Sequence, residues 1–166
     1  MKRFSLLFMC CLPLMVAGQQ AEKKHLDSLL TAWHQAASDA DFDAYFGLMA
    51  PGGVFIGTDA SENWDREAFM EFSRPYFDQG KAWSFRAIER NIYLGPGGKT
   101  AWFDELLDTW MQLCRGPGTL VKTPEGWKIA PYVLSMTIPN EEVEGAVALK
   151  RERDSLVRAR LTGDGQ

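Results

Sequence analysis

The sequence predicts an α+β fold in which a curved antiparallel sheet carries helices on one face. Apolar residues recur at helical spacing between residues 24 and 77. Between residues 82 and 138 the pattern changes to the alternation that is typical of strands. Pro139 then ends the last strand, and a charged helical segment follows. A run of helices followed by a run of strands favours the α+β class.

The first residues have the layout of a secretory signal peptide. A basic pair at residues 2–3 precedes an apolar run over residues 4–16, and Gly18 supplies a small residue before a polar stretch. The apolar run is short for a membrane span. The two cysteines at residues 10–11 do not precede a small-residue cleavage site, which disfavours a lipoprotein anchor. We expect cleavage near Gly18 and export to the periplasm or the medium, with no stable membrane anchor.

The chain then divides into a signal peptide (1–18), one α+β domain (19–140) and a charged C-terminal helix with its tail (141–166). Removal of residues 1–18 leaves 148 residues with a formal net charge of −6, which is enough chain for one domain. Such an acidic chain lacks the basic stripe that nucleic-acid partners require. Cys114 is the one cysteine left, so an intramolecular disulfide is excluded, and we expect a buried, inert thiol rather than a reactive one.

Three helical segments begin the domain. The first covers residues 24–40, and Asp41 can cap a short second helix. Residues 54–59 have the composition of a short strand. A third helix begins near residues 63–65, and Pro75 predicts a kink or a break inside it.

Two strand pairs and a final helix complete the domain. The predicted strands are residues 82–94, 99–111, 118–123 and 126–138, with turns at Gly95–Gly98 and at Pro124–Gly126. Asn140 can cap the last helix. Its charged run at residues 150–154 indicates either a solvated face or a surface for a partner subunit.

Several motif-based functions are disfavoured. The segment GPGGKT (95–100) ends like a phosphate-binding loop, but Tyr93 stands where the first glycine is needed and a strand follows instead of a helix. His25 and His34 are the only histidines, with no HExxH pattern and no cysteine pair, so we predict no metal site. The sequence also lacks the GxSxG motif of a nucleophilic serine.

The strand TAWFDELLDTW (100–110) carries adjacent acids among tryptophans. Alternation places Asp104 on the face of Trp102 and Trp110, and Glu105 on the face of Phe103 and Leu107. Whichever face is buried, one carboxylate shares it with large apolar groups. Only one of the two acids can point inward.

The segments VFIGTD, AWFDELLD, CRGPGTLVKTPEGWKI and LSMTIPN resemble a SnoaL-like domain, with GWKI after a tight turn as the most recognisable part. This family belongs to the superfamily named for nuclear transport factor two, which also contains ketosteroid isomerase. The resemblance covers roughly residues 26–140. It implies a cone, formed by a strongly curved sheet around the N-terminal helices, with one pocket open at one end. It also implies a homodimer through the outer sheet face.

Enzymes of the superfamily usually use a carboxylic acid, a histidine or a tyrosine in an apolar pocket, so the resemblance implies no cofactor. An apolar environment disfavours a carboxylate anion, which allows such an acid to exchange protons near neutral pH. Asp104 is the first candidate, because two tryptophans share its face, and Glu105 is the second. The alternative is that the inward acid forms a buried ion pair with Arg86, Arg90 or Arg115.

His34, at the border of the apolar face of the first helix, is a candidate base, or else a histidine satisfied by local hydrogen bonds. The candidate ligand-binding residues are Trp64, Asp59, Trp102, Arg115 and Tyr132. Trp64 could close the mouth of the cone, whereas Asp59 is an equally good turn residue. Tyr132 could supply a phenol to the pocket or pack in the core.

Three functions remain open at this point. The first is a module that binds a small, apolar or aromatic molecule in the cone pocket, which requires an apolar cavity of roughly 300 Å³ or more. The second is a cofactor-free isomerase, cyclase or hydratase-type enzyme that uses a pocket carboxylate with His34. The third is a dimerising interaction domain, which is favoured if aromatic side chains fill the cone.

Overall fold

A computed structural model describes residues 11–163 of the chain, and the side chains of residues 17–163. The helices and strands in this range are α1 (Cys11–Ser38), α2 (Phe42–Gly47), β1 (Met49–Ile56), β2 (Asn63–Asp65), α3 (Arg66–Asp78), β3 (Arg86–Leu94), β4 (Thr100–Thr109), β5 (Gln112–Arg115), β6 (Gly118–Thr123), β7 (Gly126–Val133), β8 (Ser135–Met136) and α4 (Val143–Thr162). Short 3-10 turns lie at Pro96–Gly98 and Asn140–Glu142.

The predicted signal peptide is covered only in part. Residues 1–10 lie outside the described residues, and the predicted cleavage position near Gly18 falls within α1. None of the helices in the described range is long and apolar enough to span a bilayer. Export stays a prediction.

The eight strands form one curved, unclosed sheet. Its order is β2-β1-β7-β6-β4-β5-β8, and β3 pairs with the other side of β4. All strand pairs are antiparallel except β1 with β7, where Phe55 lies opposite Tyr132 in a parallel register. A parallel pair needs a long connection, and here α3 and the five strands β2 to β6 lie between the two strands in the chain. The α+β prediction is confirmed, and this one pair makes the sheet mixed.

Several element boundaries differ from those predicted. The helix α3 continues through Pro75 to Asp78 without a break. The strand β3 begins only at Arg86, so residues 82–85 form a linker instead of the start of a strand. The predicted strand 99–111 ends at Thr109, and a tight turn leads into the unpredicted strand β5. Gln112 has a φ of 68° where the chain leaves this turn.

The helix α1 lies against the concave face of the sheet and supplies one wall of the core. Leu26, Leu30, Trp33 and Ala37 are buried at the spacing of one helix face. They meet inward side chains of the sheet, among them Phe103, Leu107, Leu120, Ile129 and Tyr132. Burial of a side chain of this size contributes about 1.5–3 kcal/mol, so the core attaches α1 firmly to the sheet.

The β3–β4 hairpin decides which acid points inward. Its register pairs Arg90 with Glu105 and Asn91 with Asp104. Phe103, Glu105 and Leu107 are buried, while Asp104 on the other face is partly exposed. Glu105 is therefore the inward acid.

Arg90 joins this hairpin to α1. Its Nε donates to Glu105 Oε2 at 2.7 Å, and its Nη2 lies 2.6 Å from the same oxygen. Its Nη1 donates to the backbone carbonyl of Asp27 at 2.8 Å, to the Asp27 carboxylate at 2.7 Å and to Thr31 Oγ1 at 2.9 Å. One guanidinium thus connects β3, β4 and two successive turns of α1.

The helix α4 stands apart from this arrangement. None of its residues, all of which the structure describes, is buried. Lys150 and Asp154 form an i,i+4 pair on it at 2.7 Å. The charged run at residues 150–154 is exposed apart from a half-buried Asp154, in agreement with a solvated face.

Neighbouring acids of β4 offer a matched test of this arrangement. We expect Glu105→Gln to lower the free energy of unfolding by about 3–5 kcal/mol, because it removes the buried counter-charge of Arg90 and leaves only the half-exposed Asp27 carboxylate. Asp104→Asn should change it by no more than about 1 kcal/mol, because its partners are largely solvated. Equilibrium denaturation of the two variants measures both effects. Equal losses would contradict a dominant inward ion pair.

Candidate functional site

A buried carboxylate forms the centre of the site. Glu105 has no exposed surface, and its two oxygens have different partners. Arg90 occupies Oε2, as described above, while Oε1 lies 3.0 Å from His34 Nε2. The Tyr132 hydroxyl also points at Oε1, at a long 3.4 Å. The ion-pair alternative for the inward acid is thus realised with Arg90, yet one carboxylate oxygen remains for His34.

His34 is buried and held in a defined orientation. Its ring lies between Trp33, with centroids 5.1 Å apart, and Phe85, with centroids 6.1 Å apart. Because a carboxylate only accepts hydrogen bonds, the contact of His34 with Oε1 assigns a proton to Nε2. The other ring nitrogen, Nδ1, is then the one that can accept a proton.

Tyr132 adds a phenol that stays protonated. Burial, and then the nearby charge of Glu105, raise the pKa of Tyr132 well above its usual value. The hydroxyl therefore acts as a hydrogen-bond donor and not as a base. Gly116 makes room for it, since a Cβ atom at that position would clash with the Tyr132 hydroxyl.

A groove lies beside this cluster, between α1 and the start of β3. Its volume is about 490 Å³. Its lining includes Asp27, Thr31, His34 and Gln35 from α1, and Ser84, Phe85, Arg86 and Arg90 from the linker and β3. The buried cluster thus meets open space at His34 and at Arg90. The mixture of charged, polar and aromatic groups suits a small molecule that carries polar substituents.

The interior of the cone is packed with aromatic rings. Trp33 stacks on Tyr45 with centroids 4.8 Å apart, and Tyr45 meets Trp83 edge-on at 5.5 Å. Phe69 stacks on Phe55 at 4.0 Å and on Trp83 at 5.7 Å. The space where the resemblance places a pocket is therefore occupied by the protein's own side chains.

Two polar atoms inside this packing have no hydrogen-bond partner among the described residues. They are Trp33 Nε1 and the Tyr45 hydroxyl. The Tyr45 hydroxyl lies next to Trp83, without a hydrogen bond of ordinary geometry, and burial raises the pKa of Tyr45 well above its usual value. A buried donor without an acceptor costs about 1–3 kcal/mol.

The other candidate residues lie away from His34. Asp104 is on the outer face, where it accepts from Asn91 at 3.2 Å and lies 3.8 Å from Arg115 Nη1. The prediction that Asp104 is the first candidate is therefore wrong, and Glu105 is the acid that points inward. Trp102 shares that outer face and stacks on Tyr93 with centroids 5.8 Å apart.

Trp64 and Asp59 lie at the β1–β2 end of the sheet. Trp64 packs on α3, stacked on Phe72 at 4.6 Å and on Phe69 at 5.6 Å. Asp59 is a turn residue, because it accepts from the hydroxyl and the backbone N–H of Ser61, which also lower the pKa of its carboxyl. The turn alternative fits Asp59 better than a ligand contact.

Cys114 is buried, with its Sγ 3.6 Å from Thr109 Oγ1. A buried thiol was the expectation from the sequence. Within residues 11–163, no group of three or more His, Cys, Asp or Glu side chains is placed to hold a metal ion.

Sequence reasoning missed part of the site. Asp27, Thr31 and Phe85 line the groove but were not predicted as site residues. They come together through the packing of α1 on β3, which leaves no local pattern in the sequence. The pairing of Arg90 with Glu105 had only a partial signal. Counting outward from the predicted turn at Gly95–Gly98 places Arg90 opposite Phe103, on the face of Glu105, whereas the observed loop at residues 96–99 places it opposite Glu105 itself.

Comparisons with known proteins identify the fold family. The family model of the SnoaL-like domain matches residues 26–139. No curated protein matches the sequence significantly. Among solved structures, an NTF2-like protein of unknown function from Pseudomonas putida KT2440 superposes with a TM-score of 0.61 at 15% identity, over 74% of this chain and 91% of that one.

Two further structures are similar to the same degree. A dehydratase candidate of the NTF2-like family from Streptomyces avermitilis has a TM-score of 0.62 at 15% identity, covering 73% of this chain and 99% of that one. The association domain of CaMKII from C. elegans has a TM-score of 0.60 at 17% identity, covering 72% and 98%. At such identities the likeness establishes the fold alone. The family match shows that the chain belongs to the SnoaL-like family, and the solved structures show that its fold is NTF2-like.

Proposed function

We propose that the protein binds a small molecule in the groove between α1 and β3, and that His34 transfers a proton to or from it. The observation that carries this proposal is the contact of His34 Nε2 with the buried Glu105, combined with the place of the same ring in the groove lining. A carboxylate that holds one imidazole nitrogen leaves the other available as a base, and it stabilises the imidazolium that forms.

The surrounding groups fit this role. Arg90 binds the other carboxylate oxygen and holds Glu105 in place without competing for Oε1. Phe85 covers one side of the imidazole. Tyr132 stays protonated and lies against the same oxygen, so that it supports the negative charge of Glu105. The reaction class that suits a single base is removal of a proton next to a carbonyl group, as in an isomerase or a dehydratase.

One similar solved structure is a dehydratase candidate, which is in keeping with this class. Another is an aromatic ring hydroxylase candidate from Novosphingobium aromaticivorans, with a TM-score of 0.58 at 17% identity, which represents a different class of reaction. We further propose that this activity is exported, after removal of residues 1–18.

The proton-transfer proposal is testable without knowledge of the natural substrate. We expect the protein to speed the exchange of carbon-bound protons for deuterium in D₂O, for at least one of acetophenone, cyclohexanone and pyruvate. His34→Gln should slow this exchange by about 100-fold, because glutamine can bond to Glu105 but cannot act as a base. Proton NMR of the substrate measures the rate.

His25 provides the matched control, because it is the other histidine and lies exposed on the same helix. His25→Gln should exchange as fast as the parent protein. Exchange that is equally fast in His34→Gln would refute the role of His34. The same conclusion follows if no compound exchanges faster than it does with heat-denatured protein.

We propose as a second function that the outer sheet face forms a homodimer. Trp102 and Tyr93 stack on this face and are 49% and 44% exposed, and Leu113, which lies opposite Asp108 farther along β4, is 44% exposed. Large aromatic groups that remain this exposed are typical of interaction surfaces. The likeness to the association domain of CaMKII is in keeping with an assembly role.

Sedimentation velocity tests the dimer. We expect the parent protein to sediment as a dimer at tens of micromolar and Trp102→Glu to sediment as a monomer, because the introduced charge would be buried in the interface. Leu149→Glu, on the exposed face of α4, should leave the dimer intact. A monomeric parent, or a dimeric Trp102→Glu variant, would rule out this interface.

A further inference from the structure

The linker between α3 and β3 inserts an aromatic side chain into the interior of the cone. Trp83 stacks on Phe69 with centroids 5.7 Å apart. It also meets Phe77 edge-on at 5.4 Å and Tyr45 edge-on at 5.5 Å. Three aromatic neighbours thus surround an indole that is only partly buried. Trp83 fills the space between these rings as a bound aromatic molecule would.

The linker itself is held weakly. It leaves α3 through Gly80, which has a φ of 70°, a conformation that favours glycine. Among the described residues, no backbone-to-backbone hydrogen bond involves Ala82–Phe85. Apart from the contact of the Trp83 indole with the Tyr45 hydroxyl, its side-chain hydrogen bonding in the described range is limited to Ser84 Oγ and Ser38 Oγ on α1, at a long 3.4 Å in an exposed position. The ring contacts of Trp83 and Phe85 are therefore its main attachment, and the release of these two side chains would free the linker.

The interior behind Trp83 holds unpaired hydrogen-bond donors. The Tyr45 hydroxyl lies beside the indole, and Trp33 Nε1 belongs to the ring that stacks on Tyr45. Neither donor has an acceptor among the described residues. The indole N–H of Trp83 is itself a donor and cannot accept a hydrogen bond from them. A ligand with a carbonyl or carboxylate oxygen would supply the acceptor that they lack.

The same linker also separates this interior from His34. Phe85, two residues after Trp83, meets the His34 ring edge-on at 6.1 Å. Trp33 contacts both His34, at 5.1 Å, and Tyr45, at 4.8 Å. Movement of the linker would therefore join the groove to the aromatic interior as one site, with His34 at the junction.

We propose that Trp83 is a built-in plug, and that a planar aromatic molecule with an oxygen acceptor displaces it. The linker swings out, the ring of the ligand takes the place of the indole against Phe69, and its oxygen pairs with the interior donors. This inference rests on the proposed function, because it assigns a ligand class to the same site. Binding requires only that the plug opens and does not require the imidazole of His34.

A reversible lock tests the plug. Ser38 and Ser84 are replaced together by cysteine, because their hydroxyl oxygens lie 3.4 Å apart and a disulfide between these positions would join the linker to α1. Peptide mass mapping verifies the bridge, and the single Ser38→Cys and Ser84→Cys variants serve as controls. The probe is acetophenone, a planar aromatic ketone, and cyclohexyl methyl ketone is its non-planar counterpart. Titration by ligand-observed NMR gives the affinities.

We expect the reduced double variant to bind acetophenone like the parent, and the oxidised form to bind it about tenfold more weakly or not at all. Trp83→Ala should bind it about tenfold more tightly than the parent, because no plug has to be displaced. Cyclohexyl methyl ketone should bind less well than acetophenone in both the parent and Trp83→Ala. Equal binding in the oxidised and reduced forms overturns the plug, and so does an absence of binding by the reduced form.

His34→Gln distinguishes the two proposals. It should retain acetophenone binding while it loses proton exchange. Proton exchange that continues at full rate in the oxidised double variant would overturn the plug and leave the role of His34 standing. Lock-sensitive binding without any His34-dependent exchange would support the plug and remove the proposed chemistry.

Discussion

The ion pair between Glu105 and Arg90 is the contact on which the site depends. A carboxylate with no exposed surface is costly to bury unless its charge is paired and its oxygens accept hydrogen bonds. Arg90 meets both needs, and because its remaining donors reach Asp27 and Thr31 it also sets the distance between α1 and the sheet. His34 lies on the next turn of that helix. Its ring is therefore placed by the same pair that neutralises Glu105.

The two carboxylate oxygens of Glu105 have different roles, one structural and one chemical. Oε2 binds the guanidinium, whereas Oε1 faces the imidazole and the phenol of Tyr132. The ion pair alone would be satisfied by any core that packs α1 on β3. The second oxygen gives His34 a fixed orientation at the edge of a groove. That orientation is the feature that makes proton transfer, rather than structural support alone, the function which the geometry favours.

The sequence was sufficient to predict the fold class and to single out Asp104 and Glu105 as candidate acids. It was not sufficient to predict which of the two points inward. Alternation in β4 separates Asp104 from Glu105, and it cannot say which face is buried, because tryptophans lie on one face and Phe103 with Leu107 on the other. The turn predicted at Gly95–Gly98 places Arg90 on the face of Glu105 but two residues out of register, and only the observed loop at residues 96–99 sets Arg90 opposite Glu105. The groove and the position of Trp83 depend on how α1 and the linker pack on the sheet. Such contacts between distant segments have no periodic signature, and Ala82–Phe85 even alternates like the strand it precedes.

The protonation of the two imidazole nitrogens tests the central claim most directly. Long-range proton–nitrogen NMR correlation of the histidine rings separates His34 from the exposed His25, which serves as an internal reference. The account predicts that His34 carries a proton on Nε2 and that Glu105→Gln, but not Asp104→Asn, changes its nitrogen shifts. An Nε2 without a proton, or nitrogen shifts that do not respond to Glu105→Gln, would contradict a ring held by the buried carboxylate.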